Sequence, residues 1–266
     1  MSVAPILQRC HDEGRAALVG YLPVGFPSVE GSLEAMRVLV DSGVDIVEVG
    51  VPYSDPVMDG PVIQDAAVRA LEAGVHLTDA FKATLAVVDA GAGALVMTYW
   101  NPVLRYGVDR FADDLAQAGG SGLITPDLIP DEAGAWIAAA DRLGLDRVFL
   151  VAPSSTPDRL ARVTAACRGF VYATAVMGVT GARASVGEAA ADLVARTREH
   201  TELPVCVGLG VSTGEQAAQV GRFADGVIVG SALVRCLTEA KSPDAGLQEL
   251  GRLARELAEG VRKARA

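Results

Sequence analysis

Residues 45–66 read DIVEVGVPYSDPVMDGPVIQDA. DIVEVG is a short, nearly unbroken apolar run, which is how a strand covered on both faces of a parallel sheet reads. The residues after it, with Pro52, Pro56, Gly60 and Pro61, form a restrained loop with a glycine hinge. The same alternation recurs outward in both directions. Strand-like runs appear as AALVGYL near residue 17, GALVMTY at 93, SGLITP at 121, RVFLVA at 147, GFVYAT at 169, PVCVGL at 204 and DGVIVG at 225. Between most of them lies an amphipathic stretch such as SLEAMRVLVDSG or DEAGAWIAAADRLG, with a Ser or Asp near its start and Gly at its end. Eight such units predict an α/β fold: a closed (β/α)8 TIM barrel, one domain over residues 1–266, with its active groups on the loops that follow the strands. The tail from Pro243 to Ala266 reads as one long helix with Leu247, Leu250, Leu253 and Leu257 on one face.

A chain of 266 residues is ordinary for one such barrel. Its formal charge of -10 argues against a nucleic-acid partner, because phosphate backbones are held mainly by clustered Lys and Arg. The start MSVAPILQRCHDEGR has no basic segment followed by an apolar one, and no apolar run approaches the roughly 20 residues needed to span a bilayer. A cytoplasmic protein with no membrane partner is expected. Cys10, Cys167, Cys206 and Cys236 are scattered and form no CxxC pair, so reduced thiols are expected.

Glu48 stands inside the second apolar run, between Val47 and Val49. A carboxylate there loses hydration whichever way it points, and burial favours its protonated form. Such a glutamate can give and recover a proton near neutral pH, as a general acid/base must. A structural glutamate paired with an arginine is the alternative, although Arg147, at a strand entrance, is the one arginine in these runs. In the following loop, Asp55 and Asp59 are either ligand-facing carboxylates or the makers of Asx-turns beside Pro and Gly.

A second constellation lies in MGVTGAR from Met177, GLGVST from Gly208 and VGSALV from Val229, each just after one of the last three strands. Each glycine alone could be a turn residue. Together they let backbone N–H groups approach an anion, and a helix starting at Ser231 would aim its positive end at the same place. GLGVSTG has the wrong glycine spacing for a dinucleotide fingerprint. The lysines, Lys82, Lys241 and Lys263, lie away from the strands, which excludes a Schiff-base aldolase. His11, His76 and His200 form no ligand pair, so no metal site is expected. Carboxylates and backbone amides are left to act on a substrate that supplies its own electron sink, as an indole ring does.

The stretch EVGVPYSDPVMDGPVIQ, with GYLPVGFPS at 20, GVTGAR at 178, GLG at 208 and GSALV at 230, resembles the α subunits of tryptophan synthase, in order, from about residue 16 to the C-terminal helix. The resemblance implies retro-aldol cleavage of indole-3-glycerol phosphate to indole and glyceraldehyde 3-phosphate. It implies Glu48 and Asp59 as the catalytic pair, and Gly181, Gly210, Gly230 and Ser231 at the phosphate. Around the indole it implies Tyr21, Tyr99, Ile124, Tyr172, Thr180 and Leu209. The loop with Asp55 would face a β subunit in an α2β2 heterotetramer, with no cofactor in this chain and pyridoxal phosphate in the partner. Relative to the enteric bacterial pattern, Tyr21 replaces a phenylalanine, Pro23 a threonine, and VMGVTG replaces RSGVTG. A free-standing indole-releasing lyase and a catalytically silent, partner-activating barrel are the rival readings.

Overall fold

The computed structural model describes residues 2–174, 183–208 and 210–265. Its strands are β1 (Ala17–Pro23), β2 (Ile46–Gly50), β3 (Gly93–Met97), β4 (Gly122–Ile124), β5 (Asp146–Val148), β6 (Leu150–Val151), β7 (Val171–Thr174), β8 (Val205–Gly208) and β9 (Gly226–Val229). All pair in parallel, in the order β5-β4-β3-β2-β1-β9-β8-β7-β6. The two ends of that order, β5 and β6, are separated in the chain by Phe149 alone, so the sheet is a nearly closed barrel.

The expected strand RVFLVA is thus two short pieces. Arg147 and Arg168 exchange backbone hydrogen bonds in an antiparallel bridge (3.2 and 2.9 Å), and the parallel ladder to β7 resumes beyond it, where Tyr172 N–H donates to the Phe149 carbonyl at 3.2 Å. The other expected strands are each observed as one piece.

The helices are α1 (Ala4–Asp12), α2 (Val29–Asp41), α3 (Pro61–Glu72), α4 (Leu77–Asp89), α5 (Trp100–Tyr106), α6 (Val108–Gln117), α7 (Gly134–Leu143), α8 (Pro157–Ala166), α9 (Arg183–Arg198), α10 (Gly214–Gly221), α11 (Ser231–Thr238) and α12 (Pro243–Lys263), with a 3-10 turn at Pro130–Glu132. Local chemistry fixes several starts. Ser28, Thr156 and Ser242 accept from Gly31, Arg159 and Ala245 N–H at the heads of α2, α8 and α12. α12 is the expected tail helix: Leu250, Leu253 and Leu257 are buried against its neighbours and Leu247 is half-buried.

Apolar side chains fill two layers. One lies between strands and helices. The other fills the barrel: Val19, Ile46, Leu95, Ile124, Val148, Phe170, Cys206 and Ile228 meet Val3, Leu7 and Cys10 of the amino-terminal segment, which closes the floor. That segment is latched by Asp146, whose buried carboxylate accepts from Ser2 Oγ and Val3 N–H, both at 2.8 Å. Asp45, just before β2, accepts a two-pronged Arg15 pair at 2.8 Å on each oxygen and Leu18 N–H at 2.9 Å. Among the described residues no helix is long and apolar enough to cross a membrane.

Candidate active site

β2 carries Glu48 into the barrel, level with Tyr21 of β1 and Leu95 of β3. The side chain is 1% exposed, and among the described residues Oε1 has no hydrogen-bond partner. Burial alone pushes its carboxyl up to about 8. An ion-paired structural glutamate would be shifted the other way, and among the described residues no Arg or Lys pairs with this one.

Asp59 approaches from the loop between β2 and α3, whose first turn is set by Gly60 at the N-cap and Pro61 at the first helical position. The Asp59 carbonyl accepts from Gln64 Nε2 at 2.7 Å, tying the loop's end to α3. Burial raises the Asp59 carboxyl above the ordinary range, and the Tyr99 hydroxyl opposes that rise. Asp55 is exposed and takes a 2.5 Å hydrogen bond from Ser54 Oγ. Among the described residues neither carboxylate accepts a backbone N–H, so the Asx-turn alternative has no support here.

Glu48 and Asp59 line one cavity of about 290 Å³ at the C-terminal ends of the strands. Tyr21 and Tyr172 form aromatic walls, and Gly210, Gly230 and Ser231 form the far side. Gly230 is the N-cap of α11 with no side-chain cap, so the first N–H groups of that helix have no partner within it. A Cβ on Gly230 would meet only ordinary contacts, the nearest being Tyr21 Cβ at 3.5 Å. The fold therefore leaves this position open toward the cavity, as a backbone site for an anion requires.

The sequence reading missed Met58, Ile63, Met97, Leu150, Thr174 and Ile228, all of which line the cavity. Met97 was readable in principle, since it lies two residues beyond Leu95 and strand side chains alternate. Two expected indole contacts fall elsewhere. Ile124 is packed in the barrel's inner layer with Ile46, Leu95 and Val148 rather than on the cavity wall. Tyr99, 5% exposed, turns its hydroxyl to the loop and receives Val57 and Met58 N–H at 3.2 and 3.0 Å. Thr180, Gly181 and Leu209 lie outside the described residues.

A larger cavity of about 540 Å³ opens at the opposite end of the barrel, but its Arg15, Arg198 and Arg265 are engaged by Asp45 and Asp225. Among the described residues no group of three or more His, Cys, Asp or Glu is placed to hold a metal ion.

A family model described as tryptophan synthase alpha chain matches residues 7–262. The chain is 62% identical over 261 residues to the tryptophan synthase alpha chain of Mycobacterium avium (strain 104), covering 98% of this chain and 94% of that one. It is 58% identical over 262 residues to the alpha chain of Acidothermus cellulolyticus, covering 98% and 97%. A solved tryptophan synthase of Mycobacterium tuberculosis superposes with a TM-score of 0.91 at 58% identity, covering 98% of both chains. The alpha subunit from Legionella pneumophila str. Paris superposes with a TM-score of 0.88 at 32% identity, again covering 98% of both.

Proposed function

The chain belongs to the tryptophan synthase alpha chain family, and from that premise we propose that Glu48 and Asp59 carry its chemistry. The α chain is a lyase that cleaves indole-3-glycerol phosphate to indole and glyceraldehyde 3-phosphate, and it works with a β subunit that condenses the indole with L-serine. We assign the whole of residues 1–266 to one barrel domain in the cytoplasm, and the pyridoxal phosphate of the pair to the β subunit.

The reaction needs a proton on indole C3, which turns the ring into an electron sink. It also needs a base for the side-chain hydroxyl, so that the breaking carbon–carbon bond sends its electrons into the ring. A carboxyl near 8 is largely protonated at neutral pH yet close enough to give its proton up. Glu48 acts first as acid and then, as carboxylate, as base. Asp59 accepts the indole N–H and stabilises the positive charge developing there. Backbone N–H groups at Gly230, Ser231 and Gly210, with Gly181, hold the phosphate; Tyr21 and Tyr172, with Thr180 and Leu209, enclose the indole.

The observation that carries this reading is the unpartnered, buried Oε1 of Glu48 on the cavity shared with Asp59. Glu48→Gln keeps the shape and removes the proton. Indole release by the variant, with β subunit present, is expected to fall by at least about 10²-fold, and near-parental cleavage would overturn the assignment.

A further inference from the structure

Asp59 sits on a loop with little burial of its own: Val57 is 76% exposed and Met58 47%. Something must hold such a loop in place if its carboxylate is to meet a ring N–H. The hydroxyl oxygen of Tyr99 accepts from Val57 N–H (3.2 Å) and Met58 N–H (3.0 Å). Two donors occupy the acceptor side of the phenol. Asp59 follows Met58 directly, so the two bonds hold the backbone on its amino-terminal side.

Tyr99 is itself held firmly. Thr98 N–H donates to the Ile124 carbonyl at 3.2 Å, and Trp100 N–H donates to the Asp127 carboxylate at 2.9 and 3.2 Å. The Tyr99 ring stacks on Tyr53 at 5.1 Å between centroids, and the Tyr53 hydroxyl accepts from Asn101 Nδ2 at 3.4 Å. The loop is therefore gripped at Tyr53 and again at Val57 and Met58 by the junction of β3 and α5. The residues lining the cavity do not include Tyr99.

We propose that Tyr99 is the positioning residue for Asp59: one phenolic oxygen fixes the loop backbone through the two N–H groups just ahead of Asp59 and so sets where that carboxylate meets the substrate. The proposal rests on the assignment of Asp59 made above. Tyr99 acts on the indole end of the reaction through Asp59, without touching the substrate.

The test is a four-cornered comparison of the full chain, Tyr99→Phe, Asp59→Asn and the double variant, each with saturating β subunit and indole-3-glycerol phosphate. Phe keeps the ring and its stack. Tyr99→Phe is expected to lower kcat about tenfold, the worth of the two neutral loop hydrogen bonds it removes, while glycerol phosphate affinity stays parental. Amide exchange at Val57 and Met58 should quicken. In the Asp59→Asn background, adding Tyr99→Phe should change kcat by no more than about twofold. Met58→Pro, which deletes one N–H donor from the loop side, should also lower kcat with phosphate affinity kept, so the result does not depend on one variant folding. Equal losses in both backgrounds, or unchanged exchange at the two amides, overturn the positioning role. Parental cleavage by Asp59→Asn overturns the Asp59 assignment as well, whereas an impaired Asp59→Asn beside a parental Tyr99→Phe sinks the positioning role alone.

Discussion

The Cβ that Gly50 lacks would overlap the hydroxyl of Tyr21. Gly50 lies two residues beyond Glu48 on β2, and Tyr21 pairs with Glu48 across the sheet. The phenol therefore rests on bare backbone beside the acid, and the width of the cavity at Tyr21 depends on there being no side chain beneath it. Gly50→Ala should drive the ring into the cavity at an overpacking cost of about 1–3 kcal/mol. We expect KM for indole-3-glycerol phosphate to rise while glycerol phosphate affinity holds, and Tyr21→Leu added to Gly50→Ala should recover most of the loss. Steady-state kinetics of the two variants check this.

Glu48 makes activity and stability depend on pH in linked ways. Its folded carboxyl, near 8, lies above the unfolded value of 4.5. The native state therefore holds this proton more tightly, and its contribution to stability is lost as pH rises from about the unfolded value through about 8. Glu48→Gln removes that loss. Urea titrations should find the variant more stable than the parent at pH 9, with the gap closing toward pH 5. In the parent, kcat/KM should fall on the alkaline side with a limb near 8, where Glu48 surrenders its proton.

Phosphate binding is best challenged at Gly230. A Cβ is accommodated there, whereas Gly210 has φ +67, a left-handed backbone in which any side chain is strained. Gly230→Asp should fold and place a like charge at the head of α11. Its affinity for glycerol phosphate, measured by calorimetry, is expected to drop at least tenfold, an estimate of about 1.4 kcal/mol or more from like-charge repulsion, with indole binding retained. Unchanged glycerol phosphate affinity would move the phosphate elsewhere.

The partner role proposed for Asp55 can be tested apart from the chemistry proposed for Asp59. Asp55 is exposed, linked among the described residues only to Ser54 of its own loop, and four residues from Asp59. Asp55→Ala should keep basal indole release and lose much of the acceleration by β subunit, because the partner then has less hold on the loop that bears Asp59. Titrating β subunit against cleavage rate is the measurement; superimposable curves for parent and variant would refute a partner role for Asp55.

The strands were legible because parallel strands covered on both faces carry apolar runs with little interruption, and Glu48 stood out as a carboxylate in the interior of such a run. The break at Phe149 was not legible, since it depends on the bridge between Arg147 and Arg168, a contact made in three dimensions. The same limit applies to the cavity wall. Ile124 and Met97 are paired across β3 and β4, yet Met97 reaches the cavity and Ile124 lies in the filled layer below. Barrel strands tilt against the axis, so height along the barrel does not follow position within a strand. Tyr99 was placed around the indole by family resemblance, but whether its hydroxyl met ring or loop depended on the path of residues 52–60. The chain's polar and Pro-rich character there left that path open.

The closed floor bears on how indole leaves. Val3, Leu7 and Cys10 fill the barrel from below, and Asp146 fastens the segment that carries them. Indole is neutral and flat, the kind of product that escapes through any apolar seam it is offered. A barrel stopped at one end is a cul-de-sac. Among the described residues its open end is the one bearing Asp59 and the loop ahead of α3, so the path of the product would run beside the partner contact proposed for Asp55.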